Sequence, residues 1–217
     1  MINMIEFLAN YGSTLLSAFG EHIFLSVVSL TLGILFAVPV GVLLSQADRA
    51  ASVVMGIAGV LQTIPTLALL ALMVPLFGVG KIPAIIALFI YSLLPILRNT
   101  YLGMNSVDPM VVDAAKAMGM ERIEVIRKIQ LPLAIPVIMA GIRLSAVYVI
   151  AWTTIAAYIG GGGLGEVIFN GLELFRSDLI LAGTIPVILL AILTDLLAGR
   201  IEKKLTPQTS SARIEEN

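Results

Sequence analysis

Long stretches without a charged residue alternate along this chain with short segments that concentrate the charge. Residues 23–45 carry none, and neither do residues 50–80. A third run, 82–97, is shorter, but Lys81 and Arg98 at its ends can extend their heads to an interface while their stems stay in apolar surroundings. A fourth, 133–158, holds Arg143 alone, and a fifth, 179–199, holds Asp195 alone. A helix needs about 20 apolar residues to cross a bilayer. The pattern therefore predicts an all-α membrane protein with five spanning helices, the second over roughly residues 54–77 behind a short leading segment.

Composition agrees. Of 217 residues, 59% are hydrophobic and 12% charged, against about 25% charged in a soluble domain, and the mean hydropathy is +1.02. The net charge of −1 offers no broad basic field, so nucleic acid is not an expected partner. Without Cys there is no thiolate chemistry or cysteine-ligated zinc, and with His22 as the single histidine no metal site is expected.

The distribution of basic residues is more informative than their number. Segments before span one, between spans two and three and between spans four and five hold only Lys81 and Arg176. The other side holds Arg49, Arg98, Lys116, Arg122, Arg127, Lys128, Arg200, Lys203, Lys204 and Arg213. The positive-inside bias puts the N-terminus outside and the C-terminus in the cytoplasm. Residues 1–21 lack Lys, Arg and a cleavage-site pattern, and read as a retained extracytoplasmic lead-in. Ile5, Leu8, Leu15, Leu16 and Phe19 sit near helical spacing around Gly12, which fits either an interfacial helix or an unstructured segment. Residues 22–200 form the membrane domain and 201–217 a solvated tail.

The large hydrophilic piece is the cytoplasmic loop 99–131. Asp108-Pro109 supplies a cap and a residue preset for a first turn, residues 111–118 continue as helix, and Gly119 suits the left-handed position that ends one. A second helix, 121–130, leads to Leu131-Pro132. Two short helices hinged at a glycine are expected.

Asp113-Ala114-Ala115, Gly119, Ile129 and Leu131-Pro132, at these offsets, resemble the Glu-Ala-Ala motif of the membrane subunits of bacterial ABC importers of type I. The departure is Asp113, where the motif has Glu. The resemblance implies that the first loop helix docks in a groove of a separate ATPase subunit and passes its motion to the spans. Ala114 and Ala115 would let another backbone approach closely, and Gly119 would permit the reversal that presents the helix end. It also implies a second permease chain, identical or homologous, an extracytoplasmic substrate-binding protein, and ATP and magnesium held by the partner ATPase. No phosphate-binding loop ending in Lys and Ser/Thr exists in this chain, so no catalytic residue and no cofactor of its own is expected.

A second resemblance concerns the substrate. Residues 61–68, Leu-Gln-Thr-Ile-Pro-Thr-Leu-Ala, and the turn 158–165 with Gly160 to Gly163 look like the permeases of osmoprotectant importers for glycine betaine, carnitine and choline, and related turns occur in methionine-importer permeases. Tyr148 and Trp152 share one helix face, and aromatic faces attract quaternary ammonium groups. With Gln62 and Pro65 they are the candidate lining of a substrate path, although the two rings also suit plain packing. Every span contains proline, which fits a moving pathway and membrane helices in general alike. Arg143 and Asp195 are expected to tie spans four and five together, or Arg143 to reach the interface, rather than touch substrate.

The expected function is thus a permease in the cytoplasmic membrane of a bacterium, serving an ATP-driven importer of quaternary-amine osmoprotectants. A methionine-type amino-acid importer is the alternative within the class. An ion-coupled transporter or channel would call for more ionisable groups at mid-membrane than Arg143 and Asp195 supply. An intramembrane enzyme would call for a convergent acid, base, nucleophile or metal set within the spans, for which the inventory is thin without Cys and with His22 alone.

Overall fold

The computed structural model describes residues 4–205, with side chains from residue 10 onward, and every regular element among them is helical. The order is α1 (Met4–Leu44), α2 (Asp48–Thr63), α3 (Thr66–Phe77), α4 (Lys81–Asn105), α5 (Pro109–Ala117) and α6 (Arg122–Val125). A π-helical turn (Ile126–Gln130) then leads into α7 (Leu131–Ala156), and a 3-10 turn (Ala157–Ile159) precedes α8 (Leu164–Glu173) and α9 (Ser177–Leu205). Four helical stretches are long and apolar enough to cross a membrane: Asn10–Leu44, Lys81–Asn105, Arg122–Ile159 and Ser177–Leu205. The bent pair α2 and α3 supplies a fifth if it counts as one span.

Three expectations change in detail. The lead-in 1–21 is not set apart from the first span, because α1 runs unbroken from Met4 through Gly12 to Leu44. Its N-terminal part is ordered by packing: Ala18 is buried with Leu164, Val167 and Leu179, and Tyr11, Leu15 and Phe19 lie against them. The second span is not straight. It breaks at Ile64-Pro65, and α2 and α3 meet at 96°. The residue before a proline is driven out of the α region, and Ile64 is accordingly extended at φ −66°, ψ 125°. Finally, much of the loop 99–131 belongs to its neighbouring spans. The helix α4 continues to Asn105, and the second expected loop helix is the start of the fourth span. Of the tail, residues 206–217 lie outside the described residues.

At the centre of the bundle α4 lies between α1 and α7, and the approach is made possible by missing side chains. A Cβ on Gly41 of α1 would stand 2.7 Å from Thr100 of α4, and one on Gly141 of α7 would stand 2.5 Å from Asn99. Ala84, Ala87 and Ala134 are buried in the same seams. Apolar lipid gives helices no hydrophobic reason to associate, so small residues that allow close van der Waals contact and interhelical hydrogen bonds take over. Ser26 bonds to Thr153 at 3.0 Å, Ser145 donates to the Ser92 carbonyl, and the imidazole of His22, fully buried, donates from Nε2 to the Ile150 carbonyl at 3.1 Å. This is a structural position for the single histidine.

Candidate functional site

The α5 segment stands at one end of the bundle and is built as its residues dictate. The Asp108 carboxylate accepts from the Met110 N–H at 2.8 Å, Pro109 occupies the first turn, and the chain reverses at Gly119 with φ +86°. A capping box then starts α6, where Glu124 accepts from the Glu121 N–H at 3.2 Å. Arg122 anchors this corner to the turn between α1 and α2 by donating to Gln46 Oε1 through Nε and Nη2.

The residues 113–132 singled out in the sequence fall into two groups that do different things. Ala115 points inward and is 1% exposed, whereas Ala114 and Asp113 face out, the latter paired with Lys116 at 3.0 Å. The helix also presents Met110 and Met118, each 76% exposed. Met110, Ala114 and the C-cap Met118 recur at intervals of four and so form one outward apolar stripe on a short helix whose only charged residues are Asp113 and Lys116. Composition could have found the two methionines, had the exposed face been separated from the buried one by the position of Ala115. Ile129, Leu131 and Pro132 are not on that surface. They lie in and after the π-helical turn, where the Leu131 N–H reaches back five residues to the Ile126 carbonyl. Pro132 has no N–H to return to Lys128, and its ring would crowd that carbonyl in a regular helix. Widening the preceding turn accommodates the proline without ending the helix. A continuous helical rod from Arg122 to Ile159 results.

The candidate path residues also converge, around a residue the sequence reading missed. Tyr91 of α4 donates its hydroxyl to the Ile64 carbonyl at 2.6 Å, while Gln62 donates to the Tyr91 carbonyl at 3.1 Å. Each bond satisfies a group that a proline leaves over. The Tyr91 carbonyl would bond to the N–H of residue 95, which is Pro95, and the Ile64 carbonyl sits at the break made by Pro65. Trp152 lies on Tyr91 with ring centroids 4.7 Å apart, and Tyr148 lies on Trp152 at 5.3 Å. Tyr91 is buried, Trp152 half-buried and Tyr148 exposed, so the three rings run from the interior to an open face of α7. The signal for Tyr91 was present in the sequence as an aromatic residue four positions before a proline.

At the opposite end, the glycine-rich turn is clamped. Glu21 accepts from the Gly163 N–H at 3.2 Å with one oxygen and pairs with Lys81 at 2.7 Å through the other. A Cβ on Gly162, at φ +80°, would meet that carboxylate at 2.5 Å. Arg143 and Asp195 join α7 to α9 by two bonds.

The sequence profile described as "binding-protein-dependent transport system inner membrane component" matches residues 29–207. The carnitine transport permease protein OpuCB of Listeria monocytogenes is 51% identical over 205 residues, 94% of each chain. The glycine betaine/carnitine/choline transport system permease protein OpuCB of Bacillus subtilis is 49% identical over 208 residues, 96% of each chain. The choline transport system permease protein OpuBB of the same organism is 49% identical over 207, 95% of each. Among solved structures, a chain of the MetNI methionine ABC transporter in an inward-facing conformation superposes with a TM-score of 0.82 at 22% identity, covering 88% of this chain and 96% of that one. An amino acid ABC transporter solved with histidines gives 0.77 at 19%, covering 94% and 99%. At these identities the two structures establish the fold.

Proposed function

Since this chain belongs to the binding-protein-dependent transport system inner membrane components, we propose that it is the permease subunit of an ATP-driven importer for quaternary-amine osmoprotectants such as glycine betaine, carnitine and choline. Full-length similarity to permeases named for those compounds carries the reading. The methionine alternative has a shared fold at 22% identity and a related glycine-rich turn behind it. Membership places the chain in a bacterial membrane.

Its partners in this reading are two ATPase subunits, a second permease and an extracytoplasmic binding protein. The α5 end faces the cytoplasm, following the basic-residue bias. The stripe of Met110, Ala114 and Met118 seats in the ATPase, with Ala114 giving the closest backbone approach and unbranched methionines adapting to the groove. Gly119 sets the angle at which α5 leaves its corner. Displacement of α5 then passes across the Gly119 turn into α6 and, with no loop between α6 and α7, through the π-helical turn into α7. That helix carries Trp152 and Tyr148, which with Gln62 and Pro65 line the path in this proposal. Their ring faces suit a trimethylammonium group, which cannot donate a hydrogen bond and is attracted by the ring quadrupole.

Reconstituting the permease with its ATPase and binding protein in proteoliposomes tests the reading. Betaine, carnitine or choline should raise ATP hydrolysis and be taken up, whereas methionine should do neither. Stimulation by methionine alone would refute the substrate class.

A further inference from the structure

Little of the helix α9 is buried within this chain. Only 11% of its most apolar stretch is buried, against 50% in α4. Its first turns are secured where Leu179 and Gly183 are buried and Gly183 admits Ile168 and the Leu164 carbonyl of α8. No residue further along it is buried, and its tie to α7 toward the α5 end is polar. Arg143, the one charged residue of α7, donates from Nε and Nη2 to the two oxygens of Asp195 at 2.5 and 2.7 Å, and its Nη1 lies 3.6 Å from Glu202. Asp195, Gly199 and Glu202 share one face of α9 at intervals of four and three. A Cβ on Gly199 would stand 3.2 Å from Nη1, so the guanidinium lies over the position where a side chain is missing. Two carboxylates flanking a glycine form a seat for one planar, two-pronged cation. Such a fork fixes direction as well as distance, which a lysine ammonium does not.

Arg143 is also placed on the rod that begins at Arg122, beside α5. From this geometry we infer that Arg143 is a positioning residue for energy coupling: with Asp195 and Glu202 it binds α9 to α7, so that both helices follow when α5 is displaced. The inference rests on the permease reading above.

The test uses the complete complex in proteoliposomes, with substrate uptake and ATP hydrolysis measured on the same vesicles. Arg143→Gln and Asp195→Asn should each raise the ATP consumed per substrate molecule by roughly tenfold, the size expected for two directly coupled groups. Complex yield and substrate-independent hydrolysis should stay at the wild-type level. Exchanging the partners, Arg143→Asp with Asp195→Arg, should restore most of the ratio. Gly199→Val, which leaves every charge in place but crowds the guanidinium, should raise it as the single variants do. An unchanged ratio in the single variants would overturn the inference, as would an exchange variant no better than either. Loss of the complex in all four would assign the pair to assembly and overturn it as well. A wild-type complex that hydrolyses ATP without responding to any substrate would instead refute the permease reading itself.

Discussion

Tyr91 shows how much can depend on one hydroxyl. It closes a bond to the Ile64 carbonyl while its own carbonyl is closed by Gln62, and both carbonyls are left over by prolines. Tyr91→Phe keeps the ring under Trp152 but strands a half-buried carbonyl, at a cost of about 1 kcal/mol, the low end of the range for an unsatisfied acceptor. A lower unfolding midpoint of the purified complex and slower uptake are expected, with Gln62→Leu acting in the same direction. A midpoint equal to wild type in both variants would show that the two bonds are dispensable. Gly119 is a different case, since nothing crowds it and only its φ of +86° is demanding. Gly119→Val should insert and assemble in the membrane yet lose substrate-stimulated ATP hydrolysis, because a branched residue resists the left-handed conformation by at least about 1–2 kcal/mol and re-aims α5. Western detection of the variant alongside the ATPase assay separates the two effects.

For single elements, the two alanines of α5 give the sharper experiment. Ala114 faces out and Ala115 is buried. Ala114→Trp should leave the permease folded and weaken co-purification of the ATPase, whereas Ala115→Trp should lower the yield of folded permease. Reversal of that order would exclude the outward stripe as the contact. The sequence alone suffices for Asp108, Pro109 and Gly119, because cap, first turn and reversal are local chemistry read within a few positions. It also suffices for the number of apolar runs. Where α6 ends was not legible, because Leu131-Pro132 reads as a helix start, and only the widened turn at Ile126–Gln130 lets the helix pass through. The 96° bend was half legible: Pro65 marks the place, but the Tyr91 hydroxyl that closes the Ile64 carbonyl there is distant in sequence and supplied by packing. The lead-in likewise became helix because α8 offers a surface to Ala18 and Phe19, a contact that periodicity within α1 does not reveal.

At the scale of the whole molecule, orientation can be tested with little engineering because the chain has no cysteine. A single cysteine at Asp113 should react with a membrane-impermeant maleimide only after the cells are opened, and one at Phe175, which is 96% exposed, should react in intact cells. The opposite pattern would invert the topology and remove α5 from the reach of a cytoplasmic ATPase. The unbroken rod from Arg122 to Ile159 has a further mechanical consequence. At about 1.5 Å per residue, its 38 residues extend some 57 Å. Pivoting it by about 5° at the foot would swing the glycine-rich tip sideways by roughly 5 Å, about the width of a single methylated amine.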